Sequence, residues 1–269
     1  DYIKANQLLA NTLKEKANEY KDTIKLGRTH LQDAVPMMVS DELGAWAEAI
    51  QRDVERGKTA CKLLAEVNMG GTATGTGLNA DPRYREIVIE ELRSASGIPE
   101  LRLAKNLIDA TQNLDVFVEA AGLLRAGAVT LIKIANDLRL MASGPMAGLA
   151  EVELPAMAAG SSIMAGKVNP IVPEVVNQVC FKVLGNDLTI IMAAQAGQFE
   201  LNVMEPVLAF AFFESVTMLT AAVNTLAQKT IKDMRFREER CRQYAEGAMS
   251  LITSLVPLIG YNKAAEVSK

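Results

Sequence analysis

Apolar residues recur every three or four positions along most of the chain, which is the spacing of one face of an α-helix. The pattern predicts helices over residues 1–25, 38–67, 82–95, 107–141, 171–196 and 204–230, with a further charged helix beginning near residue 236. The strict alternation that indicates a strand does not extend beyond a few positions. The chain is therefore predicted to be all-α, a bundle of long helices.

Three segments interrupt the helical pattern and are rich in polar residues or glycine. They cover residues 27–36, 71–79 and 151–170, and we expect each to be an irregular connection between helices. Side chains that perform chemistry often lie on such connections, so the candidate functional residues are sought there.

Composition supports helix packing and adds a prediction of self-association. Apolar residues make up 49% of the chain but aromatic residues only 5%, which favours close helix–helix contacts over a β-sandwich. A helix over residues 107–141 would be about 50 Å long, more than one small globule needs. Long helices with several apolar faces need partners, and a homo-oligomer supplies them.

The most hydrophobic window, residues 203–227, contains Glu205, Pro206 and Glu214, which favours a buried or interface helix over a membrane span.

Charge and cysteine content exclude several classes of protein. The net charge of −4 does not provide the basic surface that nucleic-acid binding requires. Cys61, Cys180 and Cys241 are odd in number and far apart, so neither a disulfide framework nor a zinc cluster is expected, and a cytoplasmic location is predicted. The chain begins without a basic and apolar leader and without Met, so we expect no signal peptide and a fragment of a longer protein.

The sequence from Gly160 to Pro170, Gly-Ser-Ser-Ile-Met-Ala-Gly-Lys-Val-Asn-Pro, is the strongest candidate for chemistry. It is not a Walker A loop, because five residues separate its glycines and Val168 follows the lysine. Such a loop can place a serine beside backbone N–H groups and an ammonium, which would favour an alkoxide or hold a carboxylate. Composition alone is equally consistent with a helix connector that has capping serines.

His30, Glu174 and the glycines at 75 and 77 are the other candidates. His30 is the only histidine, which excludes metal sites and relays built from several histidines, and its polar neighbours support a site role as well as a structural one. Glu174 fits an acidic residue in the first turn of a helix. The Gly75-x-Gly77 pair follows a predicted helix instead of a strand, so dinucleotide binding is disfavoured.

Three of these segments resemble conserved motifs of the aspartase/fumarase superfamily. Residues 160–170 are similar to the signature loop G-S-S-x-M-P-x-K-x-N, residues 27–34 to the second conserved region, and residues 76–79 to another shared patch. The motifs match in order and spacing over essentially the whole chain, which is identified as a member of this superfamily. Residues 172–179, 185–187 and 200–206 resemble aspartate ammonia-lyases more than fumarate hydratases.

The resemblance implies a central helical bundle that assembles as a homotetramer, with active sites built from several subunits. It also implies the reversible elimination of ammonia from L-aspartate to give fumarate, without a cofactor, and we name no metal-binding residue. By position, Ser161 would be the general base, acting as an oxyanion, and Ser162 would support it. Lys167 and Asn169 would bind a substrate carboxylate.

The remaining implied site residues come from two other segments. Thr29 and His30 would hold the substrate from another subunit, and Glu174 would pair with His30 to set its charge and orientation. Two alternatives stay open: a fumarate hydratase, and a non-catalytic scaffold like the lens crystallins of this superfamily. Intact Ser161 and Lys167 argue against the scaffold.

The chain departs from the family pattern in two ways. Ala165 stands where the signature loop has proline, and the N-D-x-x-P-T pattern of another substrate-binding stretch is missing. We expect residues 1–259 to be the central domain and residues 260–269 to begin a small C-terminal domain, with the N-terminal domain outside the chain. This expectation predicts little or no activity for the chain alone.

Overall fold

The computed structural model describes residues 1–158, 163–248 and 256–263, and these residues are mostly helical. The helices are α1 (Tyr2–Glu19), α2 (Val39–Leu63), α3 (Tyr84–Ser96), α4 (Asp109–Gln112), α5 (Asp115–Met141), α6 (Ile171–Gln195), α7 (Glu205–Leu226), α8 (Glu238–Gly247) and α9 (Val256–Ile259). The strands are β1 (Ile24–Thr29), β2 (Gln32–Met38), β3 (Glu66–Val67), β4 (Arg102–Leu103), β5 (Val152–Glu153) and β6 (Arg235–Phe236).

The predicted long helices are confirmed, although several of their ends differ. The first helix stops at Glu19, and the second stops at Leu63. The predicted helix over residues 107–141 is divided, because Asn113 has an extended backbone that ends α4 before α5 begins. After α7, residues Ala227–Ile231 form a π-helical turn instead of continuing the α-helix.

The predicted class, a bundle of long helices, is confirmed, but the expectation that residues 27–36 form an irregular connection is wrong. β1 and β2 form an antiparallel hairpin in which Ile24 pairs with Met38 and Thr29 with Gln32. The register shifts between Leu26 and Arg28, around Gly27. This bulge interrupts the two-residue alternation by which a strand is found in a sequence, which explains why the hairpin was missed. The other strand pairs, β3–β4 and β5–β6, are only two residues long.

Residue contacts divide the chain into two compact units, each with its own apolar core. The first unit consists of Asp1–Gln7, Ile50–Ile132 and Asn177–Val223, and its fully buried side chains include Ile50, Leu131, Ile190, Leu208 and Leu219. The second unit consists of Leu8–Ala49, Lys133–Val176 and Asn224–Lys269, and its fully buried side chains include Leu9, Leu13, Leu26, Leu43, Ile134 and Leu138. The domain boundary expected at residue 259 stays a prediction.

The helices α6 and α7 carry large apolar side chains that the chain itself leaves exposed. We call this group the α6/α7 apolar set; its members are Phe181, Leu188, Met192, Val207, Phe210 and Phe213.

Two helical segments, Ile171–Gln195 and Glu205–Ile231, are long and apolar enough to cross a membrane by length and composition. In each segment, 39% of the most apolar window is buried. The same two tests are passed by core helices of soluble proteins.

These helices also carry charged and polar contacts. The Lys182 Nζ lies 2.6 Å from Glu214 Oε2, and the Asn186 side-chain amide donates to the same oxygen at 2.8 Å. The hydrogen bonds from Lys182 and Asn186 hold the pKa of Glu214 below its usual value. Arg125 binds Asp187 at 2.6 Å in the same unit. Charged pairs of this kind are rare on surfaces that face lipid.

The three cysteines are free thiols, and we predict that they differ in reactivity. Cys61 is exposed, whereas burial raises the pKa of Cys180 and of Cys241 to about 12. Because the thiolate is the reactive form, iodoacetamide at pH 8 should alkylate Cys61 in the native protein and reach the other two only after unfolding. Peptide mass spectrometry before and after denaturation measures this, and native labelling of Cys180 or Cys241 would contradict the packing described.

Candidate functional site

The hairpin ends in a two-residue turn that presents Thr29 and His30 at the surface. His30 has a φ of 55° and Leu31 a φ of 59°, so both central residues are in the left-handed region. This is the geometry of a type I′ turn, which normally uses Asn and Gly. The left-handed conformation costs about 1–2 kcal/mol for an ordinary residue. The turn is therefore strained, and other contacts must hold it.

The base of the hairpin is fixed by a buried group of charges. Arg28 Nη1 lies 3.0 Å from Glu151 Oε2, and Arg28 Nη2 lies 2.9 Å from Glu151 Oε1. The Glu151 side chain is completely buried. Lys25 Nζ lies 2.6 Å from Glu42 Oε2 and 4.0 Å from Glu151 Oε2. Two cations on β1 thus neutralise two carboxylates, one on α2 and one just before β5.

The Arg28 guanidinium stays charged in this surrounding. Burial lowers its pKa, but the hydrogen bond and the charge of Glu151 outweigh this effect and raise the pKa above its usual value. The guanidinium also lies 5.3 Å from the centre of the Tyr244 ring. Since Tyr244 belongs to α8, this cation–π contact adds a link between β1 and that helix.

The signature loop is described from Ile163 onward, and Ser161 and Ser162 lie outside the described residues. The Lys167 N–H donates to the Met164 carbonyl at 3.3 Å, which forms a turn with Lys167 exposed. The Ile171 N–H donates to the Asn169 carbonyl at 2.9 Å, and α6 begins at Ile171. These bonds place Lys167 and Asn169 just before the N-terminal end of α6.

A cavity of about 890 Å³ lies within the second unit beside this loop. It is lined by three of the predicted site residues, Lys167, Asn169 and Glu174. Its other charged lining residues are Arg139, Glu153, Asp233, Arg235 and Arg237. The described lining therefore has four cations and three carboxylates, a balance that tolerates an added anion.

Thr29 and His30 are not among the residues that line this cavity. The predicted pair of Glu174 and His30 is also not among the ion pairs of the described residues. Within the part of the chain that the structure describes, the hairpin turn and the signature loop are thus two separate sets of candidate residues. The pairing stays a prediction for residues of different copies.

Sequence reasoning missed Arg28 and Glu151 as residues that shape the site. In the sequence, Arg28 is one of the polar residues beside His30, and Glu151 begins the irregular segment at residues 151–170. The two are 123 positions apart, and no local pattern predicts a pair at that distance. Knowing that the Glu151 side chain is buried would have indicated the pair, because a buried charge requires a partner of opposite charge.

The described residues contain no group of three or more His, Cys, Asp or Glu side chains placed to hold a metal ion. The polar groups of the hairpin turn and of the cavity are hydroxyl, imidazole, ammonium, guanidinium, amide and carboxylate. Such groups bind and orient an anionic molecule and move protons.

Comparison with known proteins gives a consistent assignment at the family level. A family model described as Lyase matches residues 2–185. An aspartate ammonia-lyase from Bacillus sp is 49% identical over 267 residues, which cover 99% of this chain and 57% of that protein. The aspartate ammonia-lyase of Escherichia coli (strain K12) is 46% identical over 267 residues, which cover 99% of this chain and 56% of that protein.

Solved structures of similar fold agree with this result. A class II fumarase from Schistosoma mansoni has a TM-score of 0.96 and 35% identity, over 100% of this chain and 59% of that one. A protein described as fumarate lyase:delta crystallin from Brucella melitensis, in native form, has a TM-score of 0.90 and 44% identity, over 99% of this chain and 60% of that one. The chain spans a little over half the length of the curated relatives it matches.

The bulge at Gly27 generates a prediction about the hairpin. A Cβ at this position would lie 2.9 Å from the Val35 carbonyl oxygen and 3.1 Å from Met37 Sδ. Gly27→Ala should therefore lower the free energy of unfolding by about 1–3 kcal/mol, since the backbone must move. Gly44→Ala, where a Cβ meets nothing within 4 Å, is the control. It lies inside α2 and should stabilise by about 0.5–1 kcal/mol. Urea denaturation of both variants measures the difference, and equal effects would contradict the close approach.

Proposed function

Because this chain belongs to the lyase family, within the aspartase/fumarase superfamily, we propose that its protein is an aspartate ammonia-lyase. The reaction is the reversible elimination of ammonia from L-aspartate to give fumarate. The observation that carries this proposal is the near-half identity to aspartate ammonia-lyases over almost the entire chain. Because the chain spans just over half of those proteins, the activity is proposed for the full-length protein.

The elimination requires removal of a weakly acidic proton from the carbon next to a carboxylate. The carbanion that forms places a second negative charge on this carboxylate, and positioned donors and cations are the largest source of stabilisation for such a charge. Lys167 and Asn169 supply an ammonium and an amide at the edge of a cavity that also contains Arg139 and Arg235. We assign them to the substrate carboxylates.

Ser161 is proposed as the general base, with Ser162 in support. The assignment rests on their positions in the signature loop. A serine acts as a base at neutral pH only when its pKa is strongly lowered, which backbone N–H groups and nearby cations can achieve. Lys167, six positions along the same loop, is the nearest cation in sequence.

Thr29 and His30 are proposed to hold the substrate, and Glu174 to orient His30. Thr29 and His30 are exposed at the hairpin turn, and Glu174 is half-buried in the first turn of α6. Since neither Thr29 nor His30 lines the cavity that Glu174 lines, we propose that another copy supplies the partner. The active site would then be shared between subunits.

A homotetramer is proposed as the assembly that creates these shared sites. The α6/α7 apolar set is the support for it, because side chains such as Phe210 (69% exposed) and Phe213 (67% exposed) need cover in water. The pair of Lys182 and Glu214 gives the same helices a polar contact that can fix their alignment. We also propose a cytoplasmic protein, on the ground of its three free thiols.

A fumarate hydratase is the second candidate, because the similarity to a class II fumarase structure reaches a TM-score of 0.96. The two reactions share fumarate and differ in the nucleophile that adds to it. A non-catalytic scaffold is the third candidate.

The ultraviolet absorbance of fumarate distinguishes the three candidates. It is measured after the full-length protein is mixed with L-aspartate and, separately, with L-malate. Fumarate from aspartate supports the proposal, fumarate from malate alone supports the hydratase, and none from either supports the scaffold.

We predict that Ser161→Ala in the full-length protein lowers kcat for L-aspartate by at least about a thousandfold, because the proton acceptor is lost. Helical content and assembly should not change. Ser94→Ala, at an exposed position of α3, is the matched control and should retain full activity. Steady-state kinetics with circular dichroism checks both variants. Comparable turnover in Ser161→Ala would show that another group takes the proton.

We predict that Phe210→Glu separates the assembly into smaller species. A carboxylate buried at an apolar contact without a partner costs several kcal/mol, and in a symmetric oligomer the penalty is repeated in every copy. Ile87→Glu, at a comparably exposed position of α3 outside the α6/α7 apolar set, is the control and should leave the mass unchanged. Sedimentation velocity measures both. An unchanged tetramer in Phe210→Glu would place the interface elsewhere.

A further inference from the structure

We propose that the buried pair of Arg28 and Glu151 is a positioning device for Thr29 and His30, which holds the strained hairpin turn in the conformation that presents them. The proposal rests on the proposed function in one respect, namely that Thr29 and His30 act on a substrate. Arg28 and Glu151 are positioning residues, because their effect passes through the turn.

The first step is that neither central residue of the turn favours the conformation it adopts. His30 and Leu31 both have a positive φ, although neither is a glycine or an asparagine. Leu31 is 72% exposed, so packing of its side chain does not hold the turn. A left-handed pair of this kind persists only when the surrounding structure determines it.

The second step is that Arg28 is the anchor nearest to the turn along β1. Both carboxylate oxygens of Glu151 lie within 3.0 Å of its guanidinium nitrogens. The contact from Nη1 to Oε2 is a hydrogen bond, and the ion-pair contact from Nη2 to Oε1 adds a second point that limits rotation of the planar guanidinium. The register shift at Gly27 immediately precedes Arg28, and a bulge re-aims the side chains that follow it.

The third step is that Glu151 is itself fixed to rigid elements. Its N–H donates to the Met141 carbonyl at 2.9 Å, at the end of α5. Its carbonyl accepts from the Arg237 N–H at 2.8 Å, at the residue before α8. The Glu151 carboxylate is therefore a stationary acceptor, and β1 is fastened to it two residues before His30.

The fourth step is that the Glu151 carboxylate is shielded from water, which therefore does not replace Arg28 as its partner. The Glu151 side chain is completely buried and Lys25 lies 4.0 Å away, already bound to Glu42. If Arg28 releases Glu151, a buried carboxylate loses its closest cation. The pair therefore stays closed, and the turn stays in place.

Arg28→Lys in the full-length protein tests the proposal. Lysine keeps the charge but cannot contact both oxygens in a fixed plane. We expect amide hydrogen exchange at residues 29–33 to accelerate about tenfold or more, because the turn opens locally. We expect KM for L-aspartate to rise about tenfold with a much smaller change in kcat, since binding geometry is lost before chemistry.

A second substitution separates positioning from general stability. Glycine adopts a positive φ without strain, so Leu31→Gly removes the strain at one of the two central residues of the turn. Added to Arg28→Lys, it should restore both the slow exchange and the KM to within about threefold of the original values. Leu31→Gly alone should leave KM unchanged.

Two further variants complete the test. Arg102→Lys alters an exposed arginine pair with Glu66, at 3.0 Å, and should change neither readout. Glu151→Asp withdraws the carboxylate while keeping its charge, and should reproduce Arg28→Lys, including rescue by Leu31→Gly. If Arg28→Lys does not fold, Glu151→Asp tests the proposal in its place.

The proposal is overturned if exchange at residues 29–33 is unchanged in both pair variants. It is also overturned if exchange accelerates but Leu31→Gly restores nothing, because the pair would then stabilise the fold as a whole. If the original protein releases no fumarate from L-aspartate, the proposed function fails. Hydrogen exchange and its rescue still decide whether the pair holds the turn.

Discussion

The carboxylate of Glu151 is the charge on which the candidate site depends. A completely buried carboxylate is tolerated only when cations and donors surround it, and here both cations, Arg28 and Lys25, come from β1. The hairpin therefore cannot leave the helices without exposing an uncompensated charge. Because Thr29 and His30 follow directly after Arg28, the electrostatic requirement of the core also fixes two residues at the surface.

The long helices impose a second constraint, which acts between copies of the chain. They bury one set of apolar side chains within each unit and leave the α6/α7 apolar set exposed. Among the described residues, Thr29 and His30 of the hairpin turn do not line the cavity that Lys167 and Asn169 of the signature loop line. Association would satisfy both needs at once, covering the apolar side chains and completing a site that accepts a dicarboxylate.

Much of the fold is predictable from local sequence, whereas the site is predictable only in part. Helix spacing predicted α2, α5, α6 and α7 because amphipathic helices are governed by neighbours three or four positions apart. The hairpin was missed because Gly27 breaks its alternation, and the Arg28–Glu151 pair because 123 positions separate its members. Lys167 and Asn169 came from a motif, and the cavity beside them depends on packing that no motif states.

The central claim is that one copy supplies Lys167 and Asn169 and another supplies His30 to the same dicarboxylate. A crystal structure of the full-length protein with fumarate tests it most directly. We expect one fumarate carboxylate within hydrogen-bonding distance of Lys167 and Asn169, and His30 of a different copy within the same distance of the ligand. Fumarate bound by residues of a single copy, or bound away from the signature loop, would contradict the account.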